Sequence, residues 1–205
     1  METPAADTGA TDTDAETDAA LLARFGQGDA AAAHALTARM APRLLRFASR
    51  MLGGDLAEAE DVTQEAMLRL WRQAPAWRPG AVPPMAWLYR VAANLCTDRL
   101  RWRVRRGNVA LDAVAEPPAQ DIGADRRMMA ATRAAALETA LAGLPERQRQ
   151  AVILRHIEGL ANPEIAQIMD TGVEAVESLI ARGKRGLHAA LAGRRQELGF
   201  EDEQG

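Results

Sequence analysis

Residues 58–106 decide the fold of this chain. They open with EAEDVTQEAMLRLW (58–71), pass through a loop rich in proline and glycine, and close on DRLRWRVRR (98–106). Apolar residues recur at helical spacing on both sides of the loop, which predicts two adjoining helices. The first helix carries carboxylate and amide groups that suit a protein partner. The second carries arginines interleaved with Trp102, which suit a nucleic acid.

The composition favours helices and disfavours several classes of protein. Hydrophobic residues make up 48% of the 205 residues, aromatic residues make up 4%, and alanine is abundant, which favours an all-α fold. No apolar run reaches the length of a membrane span, and the N-terminus shows no secretory signal. The single cysteine, Cys96, can form neither an internal disulfide nor a metal site alone. We therefore expect a cytoplasmic protein without membrane insertion.

The formal net charge of −3 hides an uneven distribution. Residues 1–20 hold six acidic residues and no lysine or arginine, so the rest of the chain is net +3. Residues 90–106 hold six arginines against one aspartate. A basic segment of this kind is compatible with DNA binding, because the distribution of charge matters more than its sum.

Glycines and prolines divide the chain into two groups of about four helices. In the first group Gly26–Gly28 and Gly53–Gly54 mark breaks, Asp55 is an expected N-cap, and Pro84 is the expected first residue of a helix. We expect two small helical domains, an N-terminal helix bundle and a C-terminal helix-turn-helix bundle, joined by a flexible linker. The predicted segments are a disordered acidic tail (1–18), the first domain (19–106), the linker (107–125), the second domain (126–193) and a polar tail (194–205).

Residues 163–180 have the spacing of a helix-turn-helix. Residues 163–169 form a short helix, Asp170-Thr-Gly172 forms the turn, and a second helix starts at Val173. In such a motif the second helix presents its N-terminal end to the major groove. The same spacing also arises by chance in all-helical proteins, and Glu174 and Glu177 on the second helix would face a polyanion. The motif alone leaves DNA binding open.

Three segments together resemble the extracytoplasmic-function (ECF) sigma factors, the group IV promoter-specificity subunits of bacterial RNA polymerase. Residues 59–72 (AEDVTQEAMLRLWR) are similar to the helix that binds core polymerase in that family. Residues 86–101 (AWLYRVAANLCTDRLR) are similar to the helix that opens and reads the minus-ten element. Residues 144–152 (LPERQRQAV), with the helix-turn-helix that follows, are similar to the domain that reads the minus-thirty-five element.

The resemblance assigns roles to individual residues in the first domain. It implies that five residues of the first helix contact core polymerase: Asp61, Gln64, Glu65, Leu68 and Arg72. These residues lie at three- and four-residue spacing, and a solvated amphipathic face would show the same pattern. The minus-ten residues it implies combine aromatic, polar and basic groups: Trp77, Arg78, Trp87, Asn94, Asp98, Arg99, Arg101, Arg103, Arg105 and Arg106. Trp87 and Tyr89 could stack on bases, whereas Leu88, Val91 and Leu95 fit a core.

Two departures from the family pattern affect base recognition. Residues 77–84 resemble the loop that captures a flipped-out base in that family, but Pro83-Pro84 replaces the small polar residues common there. In the second helix of the helix-turn-helix, Glu177 and Leu179 stand where the family often has lysine or arginine. A glutamate can accept a hydrogen bond from a cytosine amino group, so the glutamates of the second helix stay among the candidates. The minus-thirty-five residues implied by the resemblance are Glu174, Glu177, Ser178, Arg182, Lys184 and Arg185.

The sequence therefore predicts a sigma factor that recruits core RNA polymerase to promoter DNA, without catalysis, cofactor or metal, under the control of an anti-sigma factor. A helix-turn-helix repressor with a helical N-terminal sensor domain is the alternative, and it would bind DNA without polymerase. An enzyme is disfavoured because the chain has no nucleotide-binding glycine loop and no clustered metal ligands. An anti-sigma-like adaptor would keep the polymerase face but would have no use for the arginine cluster.

Overall fold

The computed structural model describes residues 17–78, 82–106 and 124–192, with the side chains of 124–128 and 130 left aside. These residues form eight α-helices and no strand, which confirms the all-α prediction. Residues 1–16 and 193–205, which include the predicted tails, lie outside the described residues. So do residues 107–123 of the predicted linker and residues 79–81 of the loop before the basic helix.

Three of the first four helices begin at side chains that satisfy free backbone N–H groups, and the fourth begins at a proline. Thr17, Asp29 and Asp55 each accept a hydrogen bond from the first turn of the helix that follows. Pro84 opens the fourth helix, where a missing N–H costs nothing. The elements are α1 (Asp18–Gly26), α2 (Ala30–Met51), α3 (Leu56–Gln73), a 3₁₀ turn (Ala74–Ala76) and α4 (Pro84–Arg105).

Apolar side chains at helical spacing hold α1 to α4 together. Leu36, Leu44 and Phe47 of α2 are fully buried, as are Val62 and Leu70 of α3. Gly26 lies so close to the 3₁₀ turn that a Cβ atom there would stand 2.8 Å from the Ala74 carbonyl oxygen. Each buried leucine or phenylalanine of this kind contributes about 2 kcal/mol relative to an exposed one.

Four further helices follow, with breaks at the predicted positions. Residues 143–145, 159–161 and 170–172 separate them, and a single π-helical turn, Ile153–Ile157, extends the second one. The π turn was not anticipated from the sequence, because its residues continue the helical spacing. The elements are α5 (Ala124–Ala142), α6 (Glu146–Val152), α7 (Asn162–Met169) and α8 (Val173–Ala192).

Two backbone features shape the C-terminal helices: one at the turn between α7 and α8, the other where α8 packs against α6. Asp170 ends α7 with φ of 50°, a left-handed conformation that aspartate tolerates better than most residues. Gly183 of α8 packs against α6, where a Cβ atom would come within 2.5 Å of the Val152 side chain. The close approach of α6 and α8 therefore requires glycine at position 183.

The two groups of helices share one buried apolar cluster, which includes Met51 and Cys96 of the first group and Leu141 and Leu154 of the second. Polar contacts surround this shared core. The Tyr89 hydroxyl donates to Glu158, and the Thr97 hydroxyl donates to Glu146.

Arg149 provides the most buried of these polar contacts, with 7% of the residue exposed. Its guanidinium donates to the Met51 carbonyl at 2.5 Å, to the Ala142 carbonyl at 2.5 Å and to the Leu144 carbonyl at 3.1 Å. Met51 ends α2 and Ala142 ends α5, so a single side chain of α6 joins the ends of two helices.

Candidate functional site

The outer face of α3 carries all five residues expected to contact polymerase. Asp61, Gln64, Leu68 and Arg72 are exposed, and Glu65 is half-buried. They lie on this face because Val62, Ala66 and Leu70, the residues expected to point inward, are fully buried against the bundle. Glu65 also pairs with Arg69 at 2.8 Å, and the hydrogen bond from Arg69 is the main reason that the pKa of Glu65 is lowered.

An apolar groove of about 480 Å³ runs beside this face, between α2 and α3. Pro42 and Leu45 of α2 form one wall, and Met67, Leu68 and Trp71 of α3 form the other. Leu68 is 41% exposed, which is unusual for a leucine in the middle of a helix. A groove with apolar walls and a carboxylate rim suits the apolar side of a partner helix. The sequence pointed to Leu68 but not to the wall formed by α2.

The arginines at the end of α4 fall into two sets. Arg99 pairs with Glu58 at 2.5 Å, while Arg103 donates to Asp55 and lies 3.8 Å from Glu58. Both carboxylates belong to the first turn of α3 or its cap. The other set is exposed and forms no ion pair with the described residues of α3: Arg101, Arg105 and Arg106.

Exposed Trp102 and its neighbours complete this surface. The guanidinium of Arg106 lies 4.0 Å from the centre of the Trp102 ring, a cation–π contact. Trp102 is 44% exposed, so part of its side chain remains accessible to solvent. Asp98 and Asn94 are exposed about one and two turns earlier on the helix, respectively.

The aromatic residues before and within α4 are placed differently from one another. Trp77 and Trp87 meet edge to face with ring centroids 6.0 Å apart, and both are half-buried. Arg78 beside them is exposed. Tyr89 is fully buried, its ring 5.0 Å from that of Phe47. Burial and the hydrogen bond to Glu158 raise the pKa of the Tyr89 hydroxyl. Because the ring is packed in the core, it offers no face to a base.

Cys96 is fully buried between the two groups of helices. Burial raises the pKa of its thiol to about 12, so the thiol stays protonated and poorly reactive at neutral pH. Cys96 is therefore placed as a small buried apolar residue and not as an exposed, reactive thiol.

All six minus-thirty-five candidates on α8 are exposed: Glu174, Glu177, Ser178, Arg182, Lys184 and Arg185. The opposite side of the helix is buried through Val176, Ile180 and Gly183. Glu177 accepts from the Asn162 amide at 3.4 Å. Arg182 donates to the Ser178 hydroxyl at 2.7 Å, so these two side chains form one polar unit on the helix surface.

Within residues 17–78, 82–106 and 124–192 no group of three or more His, Cys, Asp or Glu residues could hold a metal ion. In the same ranges no helix is long and apolar enough to cross a membrane.

Family models match the two halves of the chain in the order expected from the sequence. Sigma-70 region 2 matches residues 36–106, which contain most of α2, all of α3 and all of α4. Sigma-70 region 4 matches residues 134–187, from the middle of α5 into α8. The two matches together define a two-part helical protein of the sigma-70 class.

Curated relatives narrow this class. The ECF sigma-E factor of Escherichia coli is 31% identical over 180 residues, covering 83% of this chain and 92% of the relative. The ECF sigma factor SigE of Mycolicibacterium smegmatis is 35% identical over 161 residues, which are 77% of this chain but only 60% of that relative. The chain belongs to the ECF sigma factors of RNA polymerase, and nothing in these matches supports the repressor alternative.

Solved structures agree with this assignment. CnrH, solved in complex with the cytosolic domain of CnrY, is 26% identical and superposes with a TM-score of 0.63, covering 87% of this chain and 99% of CnrH. The sigma factor RpoE of Bartonella quintana, solved in complex with the anti-sigma factor NepR, shares the fold at 23% identity with a TM-score of 0.62, covering 78% of this chain and 96% of RpoE.

Proposed function

We propose that this chain binds core RNA polymerase in the cytoplasm and directs it to a two-part promoter, without catalysis of its own. The observation that carries the proposal is the pairing of α3 and α4. Helix α3 presents an exposed acidic face beside an apolar groove. Helix α4, which follows it in the chain, ends in a segment with exposed arginines and Trp102. The proposed functional segments are the first domain (19–106) for polymerase and the minus-ten element, and the second domain (126–193) for the minus-thirty-five element.

The α3 surface is the proposed polymerase site. Asp61, Gln64, Glu65 and Arg72 supply polar contacts, and Leu68 supplies an apolar contact at the edge of the groove. A helical partner laid along α3 would bury Leu68 and Trp71, and partly exposed apolar residues of this kind often carry much of the binding energy of an interface. Polar residues around them exclude water and set orientation.

The end of α4 and the loop before it form the proposed minus-ten site. Arg101, Arg105 and Arg106 supply positive charge for phosphates, and the accessible part of the Trp102 side chain offers a platform for a base. The remaining candidates from the sequence lie on or beside the same helix and belong to the proposed site, although two of them, Arg99 and Arg103, are paired with carboxylates of α3 or its cap: Trp77, Arg78, Trp87, Asn94, Asp98, Arg99 and Arg103.

The exposed side of α8 is the proposed minus-thirty-five site. Lys184 and Arg185 suit the phosphate backbone, which fixes position without reading sequence. Glu174, Glu177, Ser178 and Arg182 lie toward the N-terminal half of the helix and are the candidates for base contacts. The Asn162 amide orients the Glu177 carboxylate, and a carboxylate held in this way can accept from a cytosine amino group.

Regulation by an anti-sigma factor is part of the proposal. It is supported by two structural relatives, CnrH and Bartonella quintana RpoE, which were each solved with a bound partner, NepR being an anti-sigma factor. An inhibitor that covers the α3 face would compete directly with polymerase.

Engaging both promoter elements requires the two domains to separate. Elements centred at minus ten and minus thirty-five are about 25 base pairs apart, which is about 85 Å of B-form DNA. The domains are in contact through Arg149 and Tyr89, so these contacts must break when both elements are bound.

Binding to sigma-free core polymerase tests the proposal. Fluorescence anisotropy of the labelled chain should show saturable binding that another sigma factor competes away. Asp61→Arg should weaken this binding, because it places positive charge on the acidic α3 face. Gln27→Arg places the same arginine side chain on an exposed residue at the end of α1 and serves as the control for a surface arginine, although it changes the net charge by one unit and Asp61→Arg by two. A folded, inhibitor-free chain that does not bind core polymerase would refute the proposal.

A further inference from the structure

The last turns of α4 have little apolar attachment to the rest of the protein. Buried residues of α4 end at Cys96, and only Leu100 among the later residues packs partly against the core. Val104 is 74% exposed. The segment from Thr97 to Arg105 therefore needs another source of order, because an isolated helix end frays in water.

Electrostatic repulsion adds to this need. Arg99 and Arg103 are four residues apart, as are Arg101 and Arg105, and like charges at that spacing destabilise a helix by about 0.2–0.5 kcal/mol per pair. The macrodipole at the helix C-terminus offsets part of this cost. The rest must be offset by negative groups from outside the helix.

Two carboxylates of α3 supply those negative groups. Glu58 lies 2.5 Å from Arg99 and 3.8 Å from Arg103, so it bridges two successive turns of α4. Asp55 accepts from Arg103 with one oxygen and caps α3 with the other, at 3.1 Å from the Glu58 amide. The four side chains are between 27% and 35% exposed, which shields them in part from solvent.

Helix geometry separates the arginines into two faces. Each residue advances about 100° around an α-helix, so Arg101 lies about 200° from Arg99, and Arg105 lies about 200° from Arg103. The first face is occupied by Asp55 and Glu58. The second face, with Arg101 and Arg105, is exposed to solvent.

We propose that Asp55 and Glu58 are positioning residues for DNA binding, and that Arg99 and Arg103 fasten the end of α4 to α3 while Arg101, Arg105 and Arg106 contact phosphates. The inference rests on the proposed function and deepens it. It places the fastening point on α3, the helix that also carries the polymerase face. It also divides the arginine cluster, which the sequence presented as one DNA-binding set, into supporting and contacting members.

The salt dependence of DNA binding separates these roles. Each phosphate contact contributes about 0.9 to the slope of log K against log salt concentration. The full chain is titrated with a fluorescein-labelled duplex of arbitrary sequence over a series of KCl concentrations. Arg101→Gln should lower the magnitude of the slope by about 0.9, whereas Arg99→Gln should leave the slope unchanged. Glu58→Gln should raise it by about 0.9 or more, because it releases Arg99 and loosens Arg103.

Asp18→Asn is the control for net charge, because it removes one carboxylate from an ion pair with Arg39 that joins α1 to α2 and involves no residue of α4. It should leave the slope as in the wild type. Circular dichroism of each variant checks that the bundle has folded.

Three results would contradict the assignment. A loss of slope in Arg99→Gln equal to that in Arg101→Gln would make Arg99 a phosphate contact. An unchanged slope in Glu58→Gln would show that the carboxylate does not restrain the arginines. A wild-type chain that binds the duplex at no salt concentration, yet still binds core polymerase, would remove the DNA surface itself and leave the polymerase surface standing.

Discussion

Arg149 and Arg101 show how differently one residue type is used in the two halves of the molecule. Arg149 is 7% exposed and its guanidinium is surrounded by three backbone carbonyl oxygens. Arg101 is exposed at the end of α4. Both stand in short basic stretches of the sequence, and only the partner distinguishes them. The comparison teaches that a basic run defines a DNA surface only after the intramolecular partners of each side chain are known.

The environment of Arg149 explains why a cation can stay buried without a carboxylate. Met51 and Ala142 lie at the C-terminal ends of α2 and α5, where the helix macrodipole concentrates partial negative charge. Burial is the main cause that lowers the pKa of Arg149, but a guanidinium remains protonated at any ordinary pH. Arg149 therefore acts as a permanent positive bridge between two helix ends.

Removing this bridge should have the largest effect on stability. In Arg149→Leu three carbonyls lose their donor, those of Met51 and Leu144 in buried contacts and that of Ala142 in a partly buried one, and we expect a loss of about 3 kcal/mol. Arg147→Leu, two residues earlier on α6 at an exposed position, should change stability by about 0.5 kcal/mol or less. Urea unfolding followed by circular dichroism measures both. Equal losses in the two variants would mean that burial of Arg149 brings no particular stabilisation.

The next largest loss of stability is expected where α6 and α8 pack closely, and its size can be compared with the loss in Arg149→Leu. Gly183→Ala places a methyl group within 2.5 Å of the Val152 side chain, and overpacking of this kind costs about 2 kcal/mol. Gly172→Ala is the control, since nothing lies within 4 Å of its Cβ position. The free energy of unfolding, measured in the same way, should drop only in the first variant. A neutral Gly183→Ala would mean that α6 and α8 can shift apart freely.

A smaller effect concerns Cys96, a second buried ionisable group beside Arg149. The pKa of its thiol rises from 9.0 to about 12 in the folded chain, so folding favours the protonated form. Its contribution is complete below pH 9 and is lost as pH rises toward 12, by at most about 1.4 kcal/mol per pH unit. Urea unfolding of Cys96→Ala should show a smaller decline between pH 9 and 10 than the wild type, because Tyr89, whose raised pKa starts from 10.0, contributes mainly above that range in both proteins. The same slope in both proteins would exclude the thiol as its source.

The smallest effect on stability is expected for the exposed arginines at the end of α4. Arg101→Ala with Arg105→Ala should change the free energy of unfolding by about 0.5 kcal/mol or less, because neither side chain is buried. Polymerase binding should stay intact while the yield of open promoter complex falls, as measured by permanganate footprinting. Open-complex yield equal to that of the wild type would place the DNA-reading residues elsewhere.

Local features of the sequence were sufficient to predict the helices. Gly26–Gly28, Gly53–Gly54 and Gly143–Pro145 interrupt helical spacing, and Asp55 and Pro84 have the chemistry of helix starts. These signals lie within a few residues of the boundary they set, so no knowledge of the tertiary structure is needed. The exposure of the α3 face was likewise predictable from its periodicity.

Contacts between distant residues were not predictable in this way. Arg149 meets the Met51 carbonyl across 98 positions of sequence, and nothing near Arg149 distinguishes it from Arg147. The pairing of Arg99 and Arg103 with α3 depends on the rotation of α4 about its own axis, which periodicity fixes only to within a face. The groove beside Leu68 needs two helices, so no single segment reveals it.

The shared apolar cluster has a consequence for cooperativity. Met51, Cys96, Leu141 and Leu154 come from both domains but belong to one continuous core. Neither domain can melt without exposing apolar surface on the other, so their unfolding equilibria are coupled. Calorimetry of the free chain should therefore record a single heat-absorption peak with equal van't Hoff and calorimetric enthalpies. The chain would then unfold as one cooperative unit, although its sequence predicts two domains.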